Sequence, residues 1–273
     1  MGLLARSQRS SNSAGNRNFS MFNEHSGTRC VIRTHGGLGN QLFQVFYALT
    51  RPVTVVSVVH DTRYQHSFGF TPSLFRLVSE SSNLLERCAM MTRAIVFLDR
   101  YCGLGPSWRL FGSWYLDGYF QERINYVDVA PNVLKTNLER IRGCFGIEKH
   151  HTRGRLNHIR LADFYDTDHA RLVKARQDLT GIGEKEAVMS TNDELLLNDK
   201  ECQKIIISRR LNLIKTSGWS AEKILKTMSD FTEIRSNNST LAFWAALLSG
   251  AILHVEDETL CDTFDYLRSE TSA

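Results

Sequence analysis

The alternation of apolar and polar positions divides the chain near residue 29. Residues 1–28 are rich in Ser, Asn, Arg and Gly and have almost no apolar periodicity, which predicts a flexible tail. Cys30–Arg33 then reads as a short strand, followed by the turn His35-Gly36-Gly37-Leu38-Gly39-Asn40. Leu42, Phe43, Phe46, Tyr47 and Leu49 share the spacing of a packed helix face. Val53–Val59 is a β-branched run behind Pro52, as expected of a strand buried on both faces of a parallel sheet. Residues 72–100 predict mostly helix, Trp114–Phe120 a strand, and Asn132–Ile141 a helix leading out of a first unit.

A second unit follows with the same rhythm. Leu156–Leu161 reads as a strand, Asp168–Leu179 as a helix, and Ala187–Ser190 as a short strand ending at Thr191-Asn192-Asp193. Lys204–Ile207 predicts a strand, Ala221–Met228 a helix and Glu233–Arg235 a strand. Ser239 and Thr240 stand where an N-cap belongs, ahead of the apolar Leu241–Leu248. Beyond Glu256 the chain is acidic and poorly patterned, so no closing helix is expected there. Strands alternating with helices in both halves predict an α/β fold with mostly parallel sheets. No internal repeat is visible.

Length agrees with this division, since 273 residues amount to about 1.8 domains of ordinary size. The expected organisation is a tail over 1–28, an N-terminal α/β unit over 29–145 and a C-terminal α/β unit over 146–273. Met21, close before the first strand, is an alternative expected start. The hydrophobic fraction of 42% and the charged fraction of 23% suit a globular chain with a real core. A net charge of +4 is interspersed rather than blocked into a basic face, so no nucleic-acid partner is expected. The six cysteines form no Cys-x-x-Cys pair and are read as reduced, mostly buried thiols. No apolar run reaches the ~20 residues of a membrane span, and Arg6 spoils a myristoylation signal after Gly2. A cytoplasmic protein is expected, with peripheral membrane association as the variant of that reading.

The glycine turn carries the first candidate chemistry. A strand, a glycine-rich turn and a helix together present backbone N–H groups to a phosphate. Gly37-Leu38-Gly39, with Asp61 after the second strand, would suit a dinucleotide site of an NAD-dependent oxidoreductase, but position 42 is Leu where a third glycine belongs. A plain tight turn is the simpler alternative.

The run His35-Gly36-Gly37-Leu38-Gly39-Asn40-Gln41-Leu42-Phe43-Gln44 closely resembles the signature of the alpha-1,2-fucosyltransferases, glycosyltransferase family 11. Further segments resemble that family in the same order. They are Tyr115-Leu116-Asp117-Gly118-Tyr119-Phe120-Gln121, then His158-Ile159-Arg160-Leu161-Ala162-Asp163, then Ser190-Thr191-Asn192-Asp193, and last Asn238 to Leu247. Ala162 stands where the family usually has Gly. The resemblance implies two Rossmann-like units facing a cleft, a compact GT-B-like architecture, with the acceptor on the N-terminal unit and the GDP-sugar on the C-terminal one. It implies an inverting transfer of L-fucose from GDP-fucose to a galactose-containing glycan, with no cofactor beyond the donor.

Departure of a diphosphate builds negative charge on the leaving oxygen, which a fixed guanidinium stabilises. The resemblance gives that part to Arg160. Ser239 and Thr240 would complete the clamp at a helix start. His158, two residues before Arg160 and on the same strand face, is placed by the resemblance at the nucleotide. Asp193 suits the nucleotide cleft, and Asn40 with Gly37 and Gly39 would close on the sugar diphosphate from the other unit. A base is needed for the acceptor hydroxyl. Asp163 is ranked first because it belongs to the matching motif, ahead of Asp166, Asp168 and Asp117. No Asp-x-Asp pair stands at a strand end in the manner of a Mg-dependent transferase, so no metal is expected. A non-catalytic relative that binds only GDP-sugar or glycan is the alternative. Phe243 and Trp244 read as core.

Overall fold

The computed structural model describes residues 29–61, 71–91, 107–110, 113–149, 151–161, 167–190 and 193–272. The first unit begins with strand β1 (Arg29–Thr34), helix α1 (Leu38–Leu49) and strand β2 (Val55–His60). A 3-10 turn (Pro72–Arg76), β3 (Ser79–Glu80), α2 (Leu84–Met91), β4 (Ser107–Leu110) and β5 (Ser113–Leu116) follow, and a second 3-10 turn (Arg123–Asn125) leads into α3 (Pro131–Phe145). The second unit runs β6 (Arg153–Ile159), α4 (Asp168–Gly181), β7 (Ala187–Ser190), α5 (Asp193–Asn198), α6 (Lys200–Ser208) and β8 (Asn212–Ile214). It continues with α7 (Ala221–Ser229), β9 (Phe231–Ser236), α8 (Thr240–Ser249), β10 (Ile252–Val255) and α9 (Glu258–Ser272).

The strands form two five-stranded sheets, ordered β3-β2-β1-β5-β4 and β10-β9-β6-β7-β8. All pairings are parallel except that of β4 with β5. This is the two-unit α/β class expected from the sequence. The run after Pro52 is indeed a central parallel strand, with Val56, Ser57, Val58 and Val59 buried on both faces. In each sheet the strand order reverses beside its first strand, between β1 and β5 and between β6 and β9. The crevice outside the carboxyl ends at such a reversal is where open α/β sheets bind ligands.

One apolar core serves both sheets. Leu42, Phe43 and Phe46 of α1 meet Phe243 and Trp244 of α8, with the Trp244 ring 5.0 Å from Phe43 and 5.4 Å from Phe46. Phe243 and Trp244 are fully buried, as their reading as core expects. Helix α8 is apolar on nearly every side because α1, α3, α7 and α9 all pack on it. It ends at Gly250, whose φ of 83° is the left-handed conformation that closes a helix. Among the described residues no helix is long and apolar enough to cross a membrane.

The structure corrects several expectations. Lys204–Ile207 lies in helix α6 rather than in a strand: Asp199 caps it by accepting from Cys202 N at 2.8 Å, and the cap outweighs the strand preference of three isoleucines. The stretch after Glu256 is a fifteen-residue helix, α9, with Leu260, Phe264 and Leu267 buried at i, i+4 and i+7. Its acidic outer face hides that stripe in the sequence, and Asp257 caps it by accepting from Leu260 N at 3.0 Å. Residues 72–91 hold a 3-10 turn, a two-residue strand and a short helix, while 92–100 lie outside the described residues. The strand expected over Trp114–Phe120 stops at Leu116, where the chain turns at Gly118 and Phe120 takes a φ of 53°. Of the described cysteines, only Cys30 and Cys202 are buried; Cys144 is half-buried, and Cys88 and Cys261 are exposed.

Candidate active site

The carboxyl ends of β2, β1 and β5 are tied by one guanidinium. Arg33, at the end of β1, is 1% exposed and donates from Nη1 to both oxygens of Asp117, at 2.9 and 3.0 Å. Its Nε donates to Asp61 Oδ2 at 3.1 Å, and its Nη2 pairs with the same oxygen. Asp61 is fully buried, so the carboxylate that a dinucleotide site would place on a ribose is instead an internal counter-ion. Asp117, one of the four candidate bases, has both oxygens engaged in the same way.

The glycine turn follows directly. Gly36 takes a φ of 78°, which glycine reaches without a side-chain clash. Gly37 is the extended N-cap of α1 and faces open space, since a Cβ there would meet nothing within 4 Å. The turn is braced from within by Gln41 Nε2, which donates to Gly36 O at 3.0 Å. Gln44 accepts from His35 N at 3.1 Å and donates to Gly118 O at 3.2 Å. Gln44 therefore holds the loops after β1 and β5 together, while Gln41 braces the first of them.

Gly39 does something different from its neighbours. A Cβ on it would sit 2.4 Å from Thr240 Oγ1 and 2.6 Å from Leu241 N. The start of α1 packs directly onto the start of α8, backbone against backbone. Asn40 Oδ1 sits at this junction, accepting from Thr240 Oγ1 at 3.1 Å and from Gln121 Nε2 at 3.0 Å. Gly39→Ala should therefore destabilise the fold by about 1–3 kcal/mol, because backbone rather than a yielding side chain must move. Denaturant titration checks this, and a change within a few tenths of a kcal/mol would show that the junction can open. Gly37→Ala, with space to spare and a negative φ, should be far milder.

On the second sheet, Ser239 caps α8 by accepting from Ala242 N at 3.2 Å. Arg160, just past β6, reaches across the strand reversal and donates from Nη1 to Asn238 O at 2.9 Å. His158 is buried beneath it, with Nδ1 3.3 Å from Ser236 Oγ and Nε2 without a hydrogen-bond partner. Burial, helped by the nearby Arg160 charge, lowers its pKa from 6.5 to about 3, so the ring is neutral near pH 7.

That shift has a sign. The unfolded chain takes up the proton near pH 6.5, whereas the folded one resists it down to about pH 3. Stability should therefore fall as the pH drops through this window, with a slope from this one group approaching ~1.4 kcal/mol per pH unit. Comparing the pH dependence of unfolding for wild type and His158→Gln isolates the effect, since His60, also lowered by burial, is common to both. Parallel curves would refute it.

Gly39 and Asn40 thus meet Thr240 beside the Ser239 cap, Arg160 bonds to Asn238 O next to that cap, and His158 feels the Arg160 charge from two residues back on β6, with Gly37 at the open edge of the turn. Asp193 opens the six-residue α5 next to the end of β7. Asp163 and Asp166 fall outside the described residues. Asp168 starts α4, is exposed, and pairs with Arg171 at 2.8 Å. Sequence reading missed Arg33, since a lone arginine in a strand carries no signal until its partners 28 and 84 residues away are known.

No protein-family profile matches the chain, and no curated protein sequence matches it either. Among solved structures, a variant of Arabidopsis thaliana FUT1 in complex with GDP is similar over 86% of this chain and 71% of its own. The identity is 12% and the TM-score 0.42. Fucosyltransferase NodZ from Bradyrhizobium is similar over 82% of this chain and 94% of its own, at 12% identity and a TM-score of 0.37. At these values the likeness is one of outline.

Proposed function

We propose that the chain is a glycosyltransferase that moves L-fucose from GDP-fucose to a hydroxyl of a galactoside, with inversion and an alpha-1,2 linkage. The observation that carries this reading is the packing of the starts of α1 and α8 onto each other, with Arg160 bonded to the loop that feeds α8. Each helix start presents the positive end of its dipole, and Arg160 adds a guanidinium whose fork matches phosphate oxygens. Such a place favours an anionic group, and a diphosphate leaving group is the class it suits best.

In the proposed reaction the acceptor oxygen attacks the anomeric carbon from the face opposite the diphosphate. The bond to the diphosphate oxygen breaks, and its electron pair leaves with GDP. Arg160 and the Ser239–Thr240 helix start stabilise that charge, while neutral His158 lines the nucleotide side. The hydroxyl proton passes to a carboxylate, proposed to be Asp163. No metal is needed for charge neutralisation in this scheme; activity lost in EDTA and restored by Mg²⁺ would refute that part.

The decisive experiment incubates the protein with GDP-fucose and a panel of galactosides, reading GDP release and the linkage formed by NMR. Acceptor-dependent GDP release with a new alpha-1,2 linkage is expected. Binding of GDP-fucose or glycan without turnover would favour a non-catalytic binder, and preferential binding of NAD would overturn the reading altogether.

A further inference from the structure

Beside the Asn40 junction lies a cavity of about 450 Å³, lined by the Gly118–Glu122 turn, Asn125, and Asp257 and Thr259 at the start of α9. Its shape is imposed by an unusual backbone. Phe120 holds a left-handed φ of 53°, which a residue with a Cβ adopts only at an energetic cost. Two core contacts hold it there: its ring stacks on Tyr47 at 4.1 Å and 11°, and its carbonyl accepts from Tyr126 Oη at 2.7 Å.

This turn sends two successive aromatic side chains in opposite directions. Phe120 goes into the core, and Tyr119 is left 43% exposed at the cavity. The Tyr119 ring does not swing freely, because His35 meets it edge-on with centroids 4.6 Å apart. His35 is itself held by Gln44. The result is a fixed aromatic face next to polar groups, and Gln121 of the same turn bonds to Asn40 in the candidate active site.

We propose that this cavity is the acceptor subsite and that it takes a neutral pyranoside, with Tyr119 as the stacking platform. The proposal deepens the fucosyl-transfer reading above and rests on it for the word acceptor. An aromatic face carries partial negative charge, and the axial C–H groups of a pyranose present partial positive charge to it. Glu122 and Asp257 would accept from sugar hydroxyls, and Asn125 can both donate and accept. The same carboxylates set selectivity. Among the described residues lining the cavity there is no Lys or Arg. The adjacent Arg123 is turned away, pairing with Asp262 at 3.1 Å and lying over the Tyr266 ring. A sulfated or sialylated sugar would therefore meet like charge without a counter-ion.

The test reads sugar binding directly, without donor, so that it does not depend on turnover. Saturation-transfer NMR with methyl β-galactoside, at concentrations up to about 10 mM, should show binding that Tyr119→Ala weakens about tenfold and Tyr119→Phe retains. A 3-sulfated galactoside should bind at least about tenfold more weakly than the neutral sugar, and Glu122→Lys should narrow that gap. Thermal unfolding of each variant serves as the fold control. Equal binding by wild type and Tyr119→Ala, no binding of any galactoside, or a preference for the sulfated sugar overturns the proposal. Sugar binding through Tyr119 in a protein that transfers no fucose would uphold the sugar subsite and refute the transferase reading instead.

Discussion

Arg33→Met is expected to destabilise the protein by about 3–5 kcal/mol, the range for removing one partner of a buried ion pair. The magnitude follows from what the substitution leaves behind. Asp61 is fully buried and Asp117 nearly so, and both carboxylates take hydrogen bonds from the one guanidinium. Without it, two acidic groups must lose their charge, draw in water or push the strand ends apart. Arg33→Lys should fall between, because a single ammonium cannot fork to two carboxylates on opposite sides. Adding Asp61→Asn and Asp117→Asn to Arg33→Met should return a large part of the loss, since the uncompensated charges are then gone. Urea titration of the four proteins tests the set. A loss below about 1 kcal/mol for Arg33→Met would mean that this cluster is hydrated and not an internal clamp. The clamp matters to the site because Arg33 is three residues from Gly36 and Asp117 is next to Gly118, so the same guanidinium fixes both loops at the strand reversal.

In the fucosyl transfer proposed above, Arg160→Ala should lower kcat/KM by two to three decades, about 3–4 kcal/mol of transition-state stabilisation. Charge grows on the leaving diphosphate as the bond to the anomeric carbon breaks, so the interaction strengthens along the reaction and most of the loss should appear in kcat. Arg160→Lys retains the charge but loses the fork and should recover about one decade. The backbone carbonyl that Arg160 now holds, Asn238 O, belongs to the loop that feeds α8, so the fold control is needed here too. Steady-state rates with GDP-fucose and a responsive galactoside, together with the unfolding midpoint, separate the two effects. A change within threefold at unaltered stability would remove Arg160 from the chemistry.

The parts of this architecture that were legible in the sequence are those decided by near neighbours. The β-branched run behind Pro52 specified a central strand because both of its faces had to be apolar. Ser239 marked a helix start because an N-cap acts over three residues, and the structure has it accepting from Ala242 N. The glycine turn was visible because Gly36 must take a backbone angle that other residues avoid. Where two local preferences disagreed, the cap won over the strand preference: Ile205, Ile206 and Ile207 lie in a helix started by Asp199. The stripe of α9 was legible in principle at Leu260, Phe264 and Leu267, but acidic neighbours obscured it.

The chemistry of the site belongs largely to the other kind of information. From the sequence, Asp61 and Asp117 were open carboxylates and Gly39 was one more glycine of a phosphate turn. Only the tertiary structure decided that the first two answer a buried arginine and that the third exists to let α8 approach. Asn40 and Thr240 meet across 200 residues of chain. Contacts of that span depend on how the helices of the two units pack, not on the propensity of either segment. The sequence by itself thus determined the alternation of strands and helices, their caps and the turn. Folding decided which of the charged groups remain available to a substrate, because availability is a matter of burial and of partners distant in sequence.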